Sequence, residues 1–192
     1  NNINLESDLK SKYDNIEVII SNNVGMGAGN NIGLKACKTD YAYVLNPDTK
    51  LKKNTLKNLI YELNKIKDFT LASPVNDNPN IPNFKIFNGS NNNENIISVD
   101  RLDGFSILFN LKKFKDQIFF DENFFLYLEN DDLCLRVKKK KELIYLIKNS
   151  KIEHTGGISQ NFNFEKLRNW HWMWSKFYFN KKHNGYIVAT TK

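Results

Sequence analysis

Residues 22–33 pack four glycines and four asparagines into Asn-Asn-Val-Gly-Met-Gly-Ala-Gly-Asn-Asn-Ile-Gly, and Asn46-Pro47-Asp48-Thr49 follows closely. A glycine-rich turn that opens a helix exposes backbone N–H groups and amide side chains, which can hold the hydroxyls and phosphates of a nucleotide. Asn23, Gly25, Gly29 and Asn30 are the candidates for that work. Asp48 closes an apolar run, and Pro47 biases Asn46 toward extended backbone, so the carboxylate is presented at the end of a strand. A hard divalent cation such as Mg²⁺ or Mn²⁺ needs only one or two protein carboxylates when water and phosphate fill its other positions. Each motif also has a plain reading: a glycine-rich connector, and a β-turn capping the next helix. Two sharper motifs are excluded. The third glycine of G-x-G-x-x-G falls on Asn30 or Ile32, and no Gly-Lys-Ser or Gly-Lys-Thr closes a P-loop.

A second cluster, Glu129-Asn130-Asp131-Asp132, follows five aromatics within 119–127. Carboxylates at a helix start are stabilised by the dipole, and Asp132 can pair with Arg136 one turn on. A carboxylate against an apolar wall also gains proton affinity, which suits a general base. Structural cap and base stand side by side as readings. His154 precedes Thr155-Gly156-Gly157, where it could complete a metal site or touch a diphosphate. All three tryptophans lie within 170–174. Leu167, Trp170, Trp174, Phe177 and Tyr178 share a helical face, which means packing or, with Lys176, Lys181 and Lys182, an interfacial helix that lies on anionic lipid or closes over an acceptor.

The elements that must position these groups alternate between strand-like and helix-like, which predicts an α/β fold with a mostly parallel sheet. Strands are expected over 16–21, 41–45, 69–72, 105–110 and 143–147, with 41–45 buried on both faces. Helices are expected over 28–37, 53–67, from Glu129 onward, and over 164–179. Nine asparagines and two prolines in 76–95 predict a long loop with a small hairpin.

The 192 residues, 41% hydrophobic, suffice for one domain with a core, taken as 1–192. The chain opens on Asn1 and closes over 186–192 without a terminating element, which reads as a piece of a longer protein. A net charge of +7 attracts nucleic acid, anionic membranes or phosphorylated substrates alike. The lysines are scattered or grouped at one helix end, and no groove-reading helix or aromatic sheet motif accompanies them, so nucleic acid is not an expected partner. Cys37 and Cys134 are the only cysteines. Their separation argues against a disulfide framework and for a cytoplasmic setting. No apolar run approaches the ~20 residues that span a bilayer, leaving peripheral contact at the inner membrane face as the expected membrane role.

In order and spacing, these pieces resemble the inverting glycosyltransferases of family 2 with a GT-A fold, particularly the bacterial rhamnosyltransferase-like members that build surface polysaccharide. They are Asn23-Val24-Gly25 with Gly29-Asn30-Asn31-Ile32-Gly33, then Leu45-Asn46-Pro47-Asp48-Thr49, then 120–127 running into Glu129 and Asp132-Leu133-Cys134-Leu135-Arg136, and finally 154–159. The resemblance covers residues 16–180. It implies transfer of a sugar from a nucleotide-diphosphate donor to a hydroxyl of a glycan or lipid-linked acceptor, with Asp48 at the metal-binding aspartate and Asn46 at its partner position. The fold's first strand, and the carboxylate that follows it near the base, have no counterpart. The family's Glu-Asp pair, whose aspartate usually serves as base, reads Glu129-Asn130. An amide cannot deprotonate an alcohol, so Glu129 becomes the expected base and Asp131 the second choice. His154 joins Asp48 as a metal candidate, and Asp103 and Tyr127 line the acceptor side. A noncatalytic relative that binds nucleotide or glycan is the first alternative, and a basic nucleic-acid-binding module a distant third.

Overall fold

In the computed structural model, residues 2–66, 68–87, 95–154 and 162–191 are described. The chain forms helices α1 (Asn2–Lys12) and α2 (Met26–Ala36), strands β1 (Tyr41–Leu45) and β2 (Thr49–Leu51), helix α3 (Thr55–Leu63), and strands β3 (Leu71–Asn76), β4 (Phe84–Lys85), β5 (Ile96–Ser98), β6 (Arg101–Leu102) and β7 (Ser106–Asn110). Helix α4 (Glu129–Lys139), strand β8 (Ile144–His154) and helices α5 (Phe162–Asn184) and α6 (Tyr186–Thr191) complete it.

The main sheet runs β1-β7-β3-β8-β2, with β5 also on β8, and β4 pairs with β6 in a separate ribbon. This is the expected mixed α/β sheet flanked by helices, with a smaller parallel share than the alternation suggests. Only β3–β8 is parallel among the described pairings. The reason is β7, which enters from the β4–β6 side and inserts antiparallel between β1 and β3.

Alternation of side chains across the pleat builds two cores on opposite faces. Leu71, Ile107, Phe109, Ile144 and Leu146 point to one, where Leu133, Cys134 and Val137 of α4 and Leu34 of α2 cover them. Ala72, Leu108 and Ile147 point to the other, where Leu59 and Leu63 of α3 pack. On the outer side of α3, Leu56 and Ile60 remain exposed.

Several expectations are corrected. Residues 16–21 form no strand, and Ile19 and Ile20 are exposed, because β-branched residues stay in a sheet only with a pairing partner and no described strand lies beside them. β1 is not buried on both faces: it lies at the edge of the sheet, paired among the described strands with β7 alone, and Tyr41 and Leu45 are exposed. Helix α3 is shorter than 53–67. The hairpin expected within 76–95 is not seen among its described residues, because β4 pairs instead with β6 beyond the segment; residues 88–94 lie outside the described ones. Cys37 and Cys134 are free thiols. Among the described residues, no helix is long and apolar enough to cross a membrane.

Candidate functional site

The glycine-rich turn is built against the loop before α4. Gly25 has φ +92°, and a Cβ there would lie 2.4 Å from the Phe125 carbonyl oxygen, so only glycine fits. The Met26 amide donates to that same oxygen at 2.9 Å. One turn on, the buried amide of Asn31 donates to the Phe120 carbonyl and accepts from the Phe120 N–H, both at 2.9 Å. Helix α2 is thereby fastened to 120–125 by main-chain-like bonds. This fixes what its first turn faces.

It faces Glu129, the first residue of α4. A Cβ on Gly27 would meet Glu129 Cβ at 3.4 Å, and one on Gly104 would meet Glu129 Oε1 at 3.6 Å. Two glycines thus form a slot around a carboxylate that is 3% exposed. Glu129 Oε2 is buried and has no hydrogen-bond partner among the described residues. Burial, with a small push from Asp131, raises its pKa from 4.5 to about 7. A carboxyl poised near neutrality can take a proton from a hydroxyl and release it again.

The backbone leading into α4 is strained. Tyr127 and Leu128 both adopt left-handed conformations, at φ +72° and +65°. Helix α5 holds them there: Ser175 Oγ donates to the Leu126 carbonyl at 2.7 Å, and Arg168 Nε donates to the Tyr127 hydroxyl at 2.7 Å.

Asp48 and His154 come together at the other end of the site, with Oδ2 and Nε2 3.1 Å apart and both side chains half-buried. The Phe105 ring stacks on His154 at 4.1 Å, and the Phe105 carbonyl accepts the Asn46 N–H at 2.9 Å. Residues 103–106 therefore join the two ends: Gly104 touches Glu129, and Phe105 supports Asn46 and His154. One carboxylate beside one imidazole fits a hard divalent cation that takes its remaining ligands from diphosphate and water. Among the described residues no group of three His, Cys, Asp or Glu side chains is arranged to hold a metal unaided.

Other candidates take different places. Asn23 turns its Oδ1 onto the Gly25 N–H at 3.3 Å, a local turn that stiffens the loop. Gly29 and Asn30 line a groove of about 280 Å³ along β1, away from the carboxylate slot. Asp131 lies 3.1 Å from Arg101 Nε and borders a cavity of about 450 Å³ with Phe87, Leu135 and Phe179. Asp103 pairs with the same Arg101 at 2.7 Å. Tyr127 borders a cavity of about 330 Å³ with Arg168 and Trp172. Asn130 donates to the Leu102 carbonyl at 2.8 Å and is structural. Residues 155–159 lie outside the described residues. Sequence reasoning missed Arg101 and Phe105; the dipeptide Asp103-Gly104 before an apolar strand was the available signal.

Comparison with known proteins adds the family. The model of glycosyl transferase family 2 matches residues 4–130, well over half of the chain, and the protein belongs to that family. No curated protein matches it. The matched span holds the glycine-rich turn, Asp48, Gly104 and Glu129, and stops before Asp131, His154 and α5. Membership brings glycosyltransferase activity with a nucleotide-sugar donor and a glycan acceptor, and the mixed sheet flanked by helices fits the GT-A architecture.

Proposed function

We propose that this family 2 chain is a single GT-A-like domain that moves a sugar from a nucleotide diphosphate to a hydroxyl of a glycan or lipid-linked saccharide, with inversion, and that Glu129 is the base. The observation that carries this reading is Glu129 itself: a buried carboxyl between two glycines, one oxygen without a partner among the described residues, titrating near neutrality. Glu129 takes the acceptor proton as the hydroxyl oxygen attacks the anomeric carbon from the face opposite the departing diphosphate. One base and one displacement suffice, which is why inversion is expected. Asp48, with His154, is the residue that would hold a divalent cation. Such an ion, when bound, offsets negative charge on the diphosphate. Asn46 and the Gly25 turn face the donor; Asp103 and Tyr127 stand toward the acceptor. The order of motifs fits the rhamnosyltransferase-like branch and the synthesis of bacterial surface polysaccharide.

Asn130 supports a second reading, a relative that binds nucleotide without turnover, because an amide stands where the family's base usually does. A panel of nucleotide sugars separates the two. Thermal shifts with nucleoside diphosphates and Mn²⁺ should appear in the parent and shrink in Asp48→Asn, since a bound ligand stabilises by mass action. Donor turnover that falls by about 10²–10⁴ in Glu129→Gln supports transfer with this base. Metal-dependent nucleotide binding without turnover of any donor supports the binding relative instead.

A further inference from the structure

Helix α5 packs Tyr178 onto Phe124 but leaves a stripe of large apolar side chains outside. Its buried residues include Ser175, at 0% exposure, and Asn180, whereas Trp170 and Met173 are 59% and 58% exposed. Trp170, Met173, Trp174 and Phe177 follow i, i+3, i+4, i+7 spacing and form one stripe along the helix. Trp174 lies 6.1 Å from Phe177, and Phe177 meets Tyr186 at 6.1 Å, so the stripe runs on into α6. Gly185, at φ +90°, makes the bend that allows it and brings Ile187 up at 79% exposure. An apolar strip of this length on the outside of a monomer marks a contact surface.

Charge says what the contact is. Residues 162–191 carry five Lys or Arg and one acidic residue, Glu165. Lys176 and Lys181 flank the stripe, and no described ion pair ties them to an acid. Indole rings that sit at headgroup depth beside lysines that reach for lipid phosphate are the chemistry of an anionic bilayer surface. A protein partner would have to bring an acidic rim of its own.

We infer that the α5–α6 face docks the protein on anionic phospholipid, lying in the headgroup plane through Trp170, Met173 and Ile187 and drawn there by Lys176 and Lys181. The same helix holds Tyr127 through Arg168, so docking places the strained entrance to α4 near the bilayer. This surface is independent of sugar transfer and needs no nucleotide.

All three tryptophans belong to this helix, and Trp170 and Trp174 lie on the stripe while Trp172 meets Tyr127, so a change in intrinsic fluorescence reports on the face over a background from Trp172. The lipid-free chain is mixed with vesicles of phosphatidylcholine alone, or with about one lipid in three replaced by phosphatidylglycerol. The expected result is co-sedimentation and a blue-shifted emission with the anionic vesicles only. Lys176→Glu/Lys181→Glu should weaken partition by about tenfold or more. Trp170→Ser/Met173→Ser should weaken co-sedimentation with the anionic vesicles by about tenfold or more while its circular dichroism stays unchanged; both positions are exposed, and the lysine pair gives a second variant with no apolar loss. Absence of binding to anionic vesicles overturns the inference, as does equal binding to neutral ones. A lipid-free dimer in sedimentation velocity that Trp170→Ser disperses would assign the face to a second copy and overturn it equally.

Discussion

Glu129 and Asp132 lie three residues apart on α4, both withdrawn from water, and their proton affinities move in opposite directions. Glu129 sits between two glycines with one oxygen unpartnered among the described residues, and burial drives its pKa up to about 7. Asp132 is 0% exposed, yet against that burial the Lys182 ammonium at 2.6 Å, the Arg136 guanidinium at 2.8 Å and His183 at 2.8 Å hold it below the ordinary carboxylate range. Burial alone therefore does not decide what a carboxylate becomes. Partners do: the surrounded one locks α4 to α5, and the solitary one keeps its proton available for exchange. The same Lys182 also pairs with Asp121 at 2.7 Å, and despite burial that carboxyl falls to about 2.

The contrast can be broken at its strong end first. Asp132→Ala leaves Lys182 and Arg136 crowded together without their shared acid, and should cost about 3–5 kcal/mol in denaturant unfolding. A loss under 1 kcal/mol would mean that the cluster does not lock the helices. The solitary end should respond in the opposite sense. Glu129 is raised on folding, so its ionised form is costly in the native state above pH 7, whereas below 4.5 it is neutral in both states. Glu129→Gln should thus match the parent below pH 4.5 and exceed it by about 3 kcal/mol above pH 7. A variant less stable than the parent at pH 8 would show that the carboxylate is paired after all.

Gly25→Ala acts on the wall instead of the charge. Forcing a Cβ toward the Phe125 carbonyl in a left-handed conformation should cost about 1–3 kcal/mol, and by moving the start of α2 it should bring the Glu129 pKa back toward 4.5, read by carboxyl NMR. Ser175→Ala is the mildest, removing one buried hydrogen bond to Leu126 for about 1 kcal/mol while leaving the ion cluster in place.

The elements around this pair were legible because they obey local rules. β1 and the start of α4 fall where the apolar run 41–45 and the acidic first turn put them. Residues 16–21 read as a strand because side-chain branching is local, whereas a pairing partner is not. The contrast between Glu129 and Asp132 was half visible: Arg136 lies one turn from Asp132, but Lys182 and His183 reach it from about fifty residues away. The outward stripe on α5 was legible as a face, while its orientation was not, since periodicity fixes which residues align and leaves open which side meets the sheet.

The most direct test is the pH dependence of donor turnover in the parent and in Glu129→Gln. An ascending limb in kcat/KM with an apparent pKa of about 7, together with a loss of about 10²–10⁴ in the variant, is the predicted result. An ascending limb near 4.5, or a variant as fast as the parent, would contradict Glu129 as the base.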